Sequence, residues 1–99
     1  MIWPFSIFKV KGDSMSPFFS DKDYVIALRR PFFKLKKGDI VLFEKEPYGK
    51  LMKRIINLEP DLIEVHGHND NSVDSRFFGR ISRSSVFAKV IYRIKRNKT

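Results

Sequence analysis

A chain of 99 residues has room for one domain around one core, with a radius near about 13 Å, and none for a second independent domain. It contains no cysteine, which excludes a disulfide framework and a cysteine-based zinc site; 42% hydrophobic residues and ten Phe argue against disorder despite 31% charged residues. Twenty Lys and Arg against eleven Asp and Glu leave a net charge of +9, which suits an acidic partner but does not name one.

The opening Met1-Ile2-Trp3-Pro4-Phe5-Ser6-Ile7-Phe8 is apolar, yet it contains a proline and meets a charge at Lys9. That is far short of the about 20 apolar residues of a spanning helix, and it lacks the basic start of a secretion signal. Residues 1–7 read as the ragged start of a first strand, with Trp3 and Phe5 available for a peripheral membrane contact. The expectation is a cytoplasmic protein without a transmembrane segment. Phe8 and Val10 then alternate with Lys9 and Lys11 until Gly12-Asp13 breaks the run. In Ser14-Met15-Ser16-Pro17, Pro17 suits the first position of a short helical turn and Ser16 its cap. Ser14 then sits on a tight bend beside backbone N–H groups that can hold an oxyanion. The same serines serve equally well as ordinary turn or capping residues.

Tyr24-Val25-Ile26-Ala27-Leu28 is an apolar run of strand length, bounded by Asp21-Lys22-Asp23 and by Pro31. A basic stretch with Arg29, Arg30, Lys34, Lys36 and Lys37 follows. Lys37-Gly38-Asp39 turns into Ile40-Val41-Leu42-Phe43, and Pro47-Tyr48-Gly49 turns into Leu51 to Leu58, so the middle of the chain reads as a hairpin. With strand alternation Leu51, Lys53 and Ile55 share one face, and Met52, Arg54 and Ile56 share the other. If the first face looks inward, Lys53 is a desolvated amine whose pKa falls into the range of a general base; on an edge strand its head reaches water instead. Arg54 cannot act as a base, because a guanidinium stays protonated.

Glu59-Pro60-Asp61 makes another turn before Leu62-Ile63-Glu64-Val65, and a polar loop from Gly67 to Ser75 follows. Asp74 and Arg76, two apart, can form a local charge pair. His66 and His68 make half a metal site with no third and fourth ligand, so no metal is expected. The last strand alternates cleanly, with Val86, Ala88, Val90, Tyr92 and Ile94 on one face, and residues 95–99 form a basic tail. No helix longer than about two turns is indicated. The fold class is mostly β: one domain over 1–99, built as a small rolled antiparallel sheet or barrel with at most short helical turns.

Four of these segments, taken in order, resemble the type I signal peptidase family of serine–lysine peptidases. They are Gly12-Asp13-Ser14-Met15-Ser16-Pro17, Lys37-Gly38-Asp39-Ile40-Val41, Lys53-Arg54-Ile55-Ile56 and Asn71-Ser72-Val73-Asp74-Ser75-Arg76-Phe77-Phe78-Gly79, within a span from about Phe8 to Val90. The resemblance implies the catalytic-core fold of that family, with Ser14 as nucleophile and Lys53 as general base. It implies Gly12 as the glycine of a backbone oxyanion hole, Ser72 as the hydroxyl that orients the lysine, and Asp74, Ser75 and Arg76 as structural support. It requires no metal and no organic cofactor. In this chain the last box opens with Gly67-His68-Asn69, where the family usually has Gly-Asp-Asn, and it is one residue shorter. With neither an N-terminal anchor nor a large inserted β domain, the resemblance narrows to a short soluble branch, similar to the maturation proteases of nickel-type superoxide dismutase. It implies limited proteolysis that removes an N-terminal extension from a precursor such as a nickel superoxide dismutase, with no specific nucleic-acid partner. Two alternatives stand beside it. One is a self-cleaving domain like that of SOS repressors, which would call for a DNA-binding domain and linker upstream of Ser14. The other is a non-enzymatic, nucleic-acid-binding β barrel, supported by the +9 charge and opposed by the need for ten Phe in so small a core.

Overall fold

The computed structural model describes residues 3–10, 22–67 and 73–94. Among these residues seven strands form one sheet: β1 (Phe5–Lys9), β2 (Tyr24–Arg29), β3 (Ile40–Lys45), β4 (Gly49–Leu58), β5 (Leu62–His66), β6 (Ile81–Ser82) and β7 (Val86–Ile94). A four-residue helix, α1 (Ser75–Phe78), and a 3₁₀ turn over Arg83–Ser85 are the helical elements among the described residues. Every pairing is antiparallel, in the spatial order β1-β2-β7-β3-β4-β5-β6. The mostly β architecture with short helical turns is therefore as the sequence led us to expect.

Local chemistry sets the connections. Pro4 has no N–H to give a ladder, and β1 starts just after it, so the apolar opening joins the sheet three residues earlier than the Phe8/Val10 alternation indicates. The β1–β2 pairing runs on past the strands, since Val10 N donates to Asp23 O at 2.7 Å and Lys22 N to Val10 O at 2.8 Å. In the β3–β4 hairpin, Lys45 lies opposite Gly49, whose φ of +78° is left-handed and suits glycine. The turn before β3 uses Gly38 at φ +96°.

The contiguous run Ile40-Val41-Leu42-Phe43 is buried throughout, because β3 lies between β7 and β4 and both of its faces are covered. Val41 and Phe43 join Ile55, Ile63, Val65, Ile81 and Val86 in one core cluster; Leu42 joins Ala27 and Ala88 in a second, with Phe8, Met52 and Phe87 against it. On β3 strand alternation separates the two, and on β7 a register shift between Leu42 and Phe43 does so. Leu42 pairs with Ala88 but Phe43 with Val86, so Phe87 is an extra residue on β7. Val86 and Ala88, read from alternation as one face, thus serve different clusters. The far end of β7 departs further: Tyr92 is 64% and Ile94 41% exposed, because β3 pairs with β7 only as far as Lys89.

Candidate active site

Lys53 lies in the middle of β4 and is only 2% exposed, on the same face as Ile55 at 1%. Leu51, its other neighbour on that face, packs against the larger core cluster. Of the two readings open for this lysine, the desolvated amine is the one realised; its head does not escape to water. Burial lowers its pKa below 10.5 as the largest influence; Asp74 pulls it back up and Arg76 pushes it down. The amine is therefore easier to deprotonate than an ordinary lysine.

The lysine strand is anchored by a turn whose part the alternation of β4 does not reveal. Gly38 N donates to Ile55 O and Ile55 N donates to Asp39 O, each at 2.8 Å, while Arg54 Nη1 donates to Gly38 O at 2.9 Å. The Lys37-Gly38-Asp39 turn is thereby fastened to the residues immediately after Lys53. Asp39 is itself held: it accepts from Lys36 N at 2.9 Å and lies 3.1 Å from Lys89 Nζ. The one signal in the sequence was the Lys-Gly-Asp turn itself.

Asp74 is fully buried, and the charge pair suggested by its spacing from Arg76 is present. Its Oδ1 accepts from Arg76 N at 2.9 Å and Arg76 Nε at 3.0 Å; its Oδ2 accepts from Gly67 N and Arg76 Nη2, both at 2.7 Å. Asp74 is also the N-cap of α1, which is why four helical residues suffice to fix this bend. Ser75 Oγ accepts from Val65 N at 2.9 Å and so ties α1 to β5, the strand beside β4. Asp74, Ser75 and Arg76 thus form one buttress, close enough to Lys53 for both charges to act on its amine.

Gly12, Ser14 and Ser72 lie outside the described residues, as does His68. Among the described residues no group of three or more His, Asp or Glu is placed to hold a metal ion. No described helix is long and apolar enough to cross a membrane.

The sequence model described as "Signal peptidase, peptidase S26" matches residues 1–69, which include Ser14 and Lys53 and stop short of Asp74. Among curated proteins, the chain is similar to mitochondrial inner membrane protease subunit 1 of Mus musculus, at 29% identity over an alignment 108 positions long. That alignment covers 84% of this chain and 65% of the relative, so the chain spans less than two thirds of the relative's length.

Proposed function

The chain belongs to the signal peptidase family, peptidase S26, and from that membership we propose that it is a serine endopeptidase with Ser14 as nucleophile and Lys53 as general base. The observation that carries the reading is the burial of Lys53. An amine 2% exposed on an apolar face, with its pKa lowered below 10.5, gives up its proton more readily than an ordinary lysine and so suits the part of a general base. Neutral Lys53 accepts the proton of the Ser14 hydroxyl, and the oxygen attacks a peptide carbonyl. Backbone amides around Gly12 hold the oxyanion, and the lysine returns the proton to the leaving amine. Water repeats the cycle on the acyl-enzyme. Ser72 orients the amine, and the Asp74–Arg76 pair keeps a carboxylate near it without letting that carboxylate dominate. The substrate class that suits this reading is a precursor protein that loses an N-terminal extension, such as a nickel superoxide dismutase.

Cleavage of a candidate precursor, followed by mass spectrometry of the new N-terminus, tests the proposal. Ser14→Ala, Lys53→Ala and Lys53→Arg should each abolish cleavage, while His68→Ala keeps most of it. Normal turnover in Ser14→Ala or Lys53→Ala would overturn the dyad; loss in His68→Ala with activity in Lys53→Ala would point to a serine–histidine pair.

A further inference from the structure

A groove of about 740 Å³ opens between the segment after β2 and the 3₁₀ turn before β7. Its polar lining comprises Arg30, Lys34, Arg83, Ser82 and Ser84, with Asp61 as its carboxylate; Phe33, Leu35 and Pro60 supply apolar surface. Three cations against one carboxylate leave a net +2. None of the three cations has a carboxylate within ion-pair distance among the described residues, where the pairs are His66–Glu64, Arg76–Asp74, Arg80–Glu59 and Lys89–Asp39.

The two guanidinium groups are instead held by backbone carbonyls. Arg30 Nε donates to Val86 O at 2.5 Å and Arg30 Nη2 to Arg83 O at 2.7 Å; Arg83 Nη1 donates to Glu59 O at 3.0 Å. These bonds fix the plane of the Arg30 guanidinium and tether that of Arg83 without neutralising either charge, and each retains N–H groups for another acceptor. A carboxylate docking there meets donors whose ordering has already been accomplished by the fold. The apolar surface argues for a polypeptide over a nucleic acid. Phe33 is the one aromatic in the lining, and the Arg30 guanidinium lies over its ring at 5.9 Å, so no row of open rings awaits successive bases.

The groove also stands at a useful distance from Lys53. Strand β4 carries Lys53 and ends at Leu58, two residues before Pro60, which at about 3.3 Å per residue separates groove and amine by roughly 20 Å. An extended chain covers that in about six residues. We propose that this groove is an exosite for an acidic, partly apolar segment of the polypeptide substrate, about six residues or more from the cut bond; its role in substrate choice rests on the peptidase reading above.

Fluorescence anisotropy on the full chain tests it without requiring cleavage. The probes are a fluorescein-labelled peptide of Glu and Leu, its counterpart with Gln for Glu, and single-stranded oligothymidylate. The Glu peptide should bind the wild type about tenfold more tightly than the Gln peptide, in keeping with a few partly exposed charge pairs. Lys34→Glu with Ser84→Glu, both at exposed positions, turns the lining from +2 to −1 and should erase that preference. Arg96→Glu with Lys98→Glu, in the basic tail, should leave it intact. Amide shifts of Phe33, Leu35 and Ser84 on titrating the wild type with the Glu peptide provide a second readout if the charge-reversed chain folds poorly. Equal affinity for the two peptides, a preference that follows the tail, unmoved groove amides, or tighter binding of oligothymidylate would each overturn the exosite. Binding as expected by a chain that cuts no precursor would remove the peptidase reading and leave the acidic-segment groove standing.

Discussion

Lys53→Met should make the protein more stable at pH 7 while destroying its proposed activity. The side chain sits 2% exposed beside Ile55, so a methionine of similar length fills the same space with no charge to desolvate. Burial lowers the lysine's folded pKa below 10.5, and between the folded pKa and 10.5 the unfolded chain binds more protons than the folded one. Wild-type stability therefore rises with pH through that window. The penalty is complete below the folded pKa and gone above 10.5. Each pH unit separating the two adds about 1.4 kcal/mol, and a lysine kept neutral at pH 7 would cost at most about 5 kcal/mol. The gain on substitution should be about 0.5–2 kcal/mol, since Asp74 offsets part of the penalty and a repacked methionine recovers only part of the rest. For a domain of this size that corresponds to a rise of several degrees in Tm, about 4–8 °C per kcal/mol. Urea unfolding followed by circular dichroism at pH 7 and pH 10 measures it, and the gap between wild type and variant should narrow at the higher pH. A variant less stable than wild type at pH 7, or a difference that stays constant with pH, would refute the argument.

Two further substitutions probe the buttress. Arg76→Gln removes the Nε and Nη2 bonds to a buried carboxylate and should lower stability by about 1–3 kcal/mol, discounted because Arg76 is 43% exposed on its side chain. It also removes a repulsion from Lys53 and leaves the pull of Asp74 less opposed, so the lysine pKa rises. In kcat/KM against pH, the wild-type rate should climb to a plateau as Lys53 loses its proton, and the variant's climb should lie at higher pH; coincident profiles would contradict the assigned electrostatics. Ser75→Ala leaves the Val65 N–H without its acceptor and should cost about 1–3 kcal/mol in thermal or urea unfolding, and a loss under about 0.5 kcal/mol would show that α1 is held otherwise.

Much of this arrangement is legible in local sequence because local rules generate it. The Ile40–Phe43 run is too apolar for a half-exposed strand, and it lies between two strands with both faces covered. Lys53 follows β alternation into the core, and Asp74 caps the short helix that its spacing to Arg76 stabilises. Strand order is another matter. That the last strand inserts between β2 and β3 depends on pairings dozens of residues apart, and no neighbour of Val86 encodes it. Bulges are equally hidden. The extra residue at Phe87 sends Val86 and Ala88 to different clusters although both are small, apolar and two apart. The exposed end of β7 is hidden from local sequence too, since Tyr92 and Ile94 continue an apolar alternation beyond the last β3 partner.

The adjacency of Lys53 and Arg54 makes sense once both faces of β4 are considered. Lys53 turns into the core, while Arg54 turns to the other side and donates to Gly38 O, so one basic residue holds the turn that fastens the strand bearing the other. From there a continuous set of pairings reaches the carboxylate. Val41 opposes Lys53; Gly38 and Asp39 bond Ile55; Ile55 opposes Val65; and Val65 N donates to Ser75 Oγ, next to Asp74. The carboxylate is placed relative to the amine by strand register as far as Val65 and by the Val65–Ser75 hydrogen bond beyond it. Register in a sheet with buried faces moves only in whole-residue steps, each of which would carry Lys53 and Ile55 out of the core. An amine whose proton affinity depends on burial, an attracting carboxylate and a repelling guanidinium needs that constancy, because small changes in any of the three distances alter the balance. The rigid sheet therefore supplies the chemical tuning of Lys53 as well as its position.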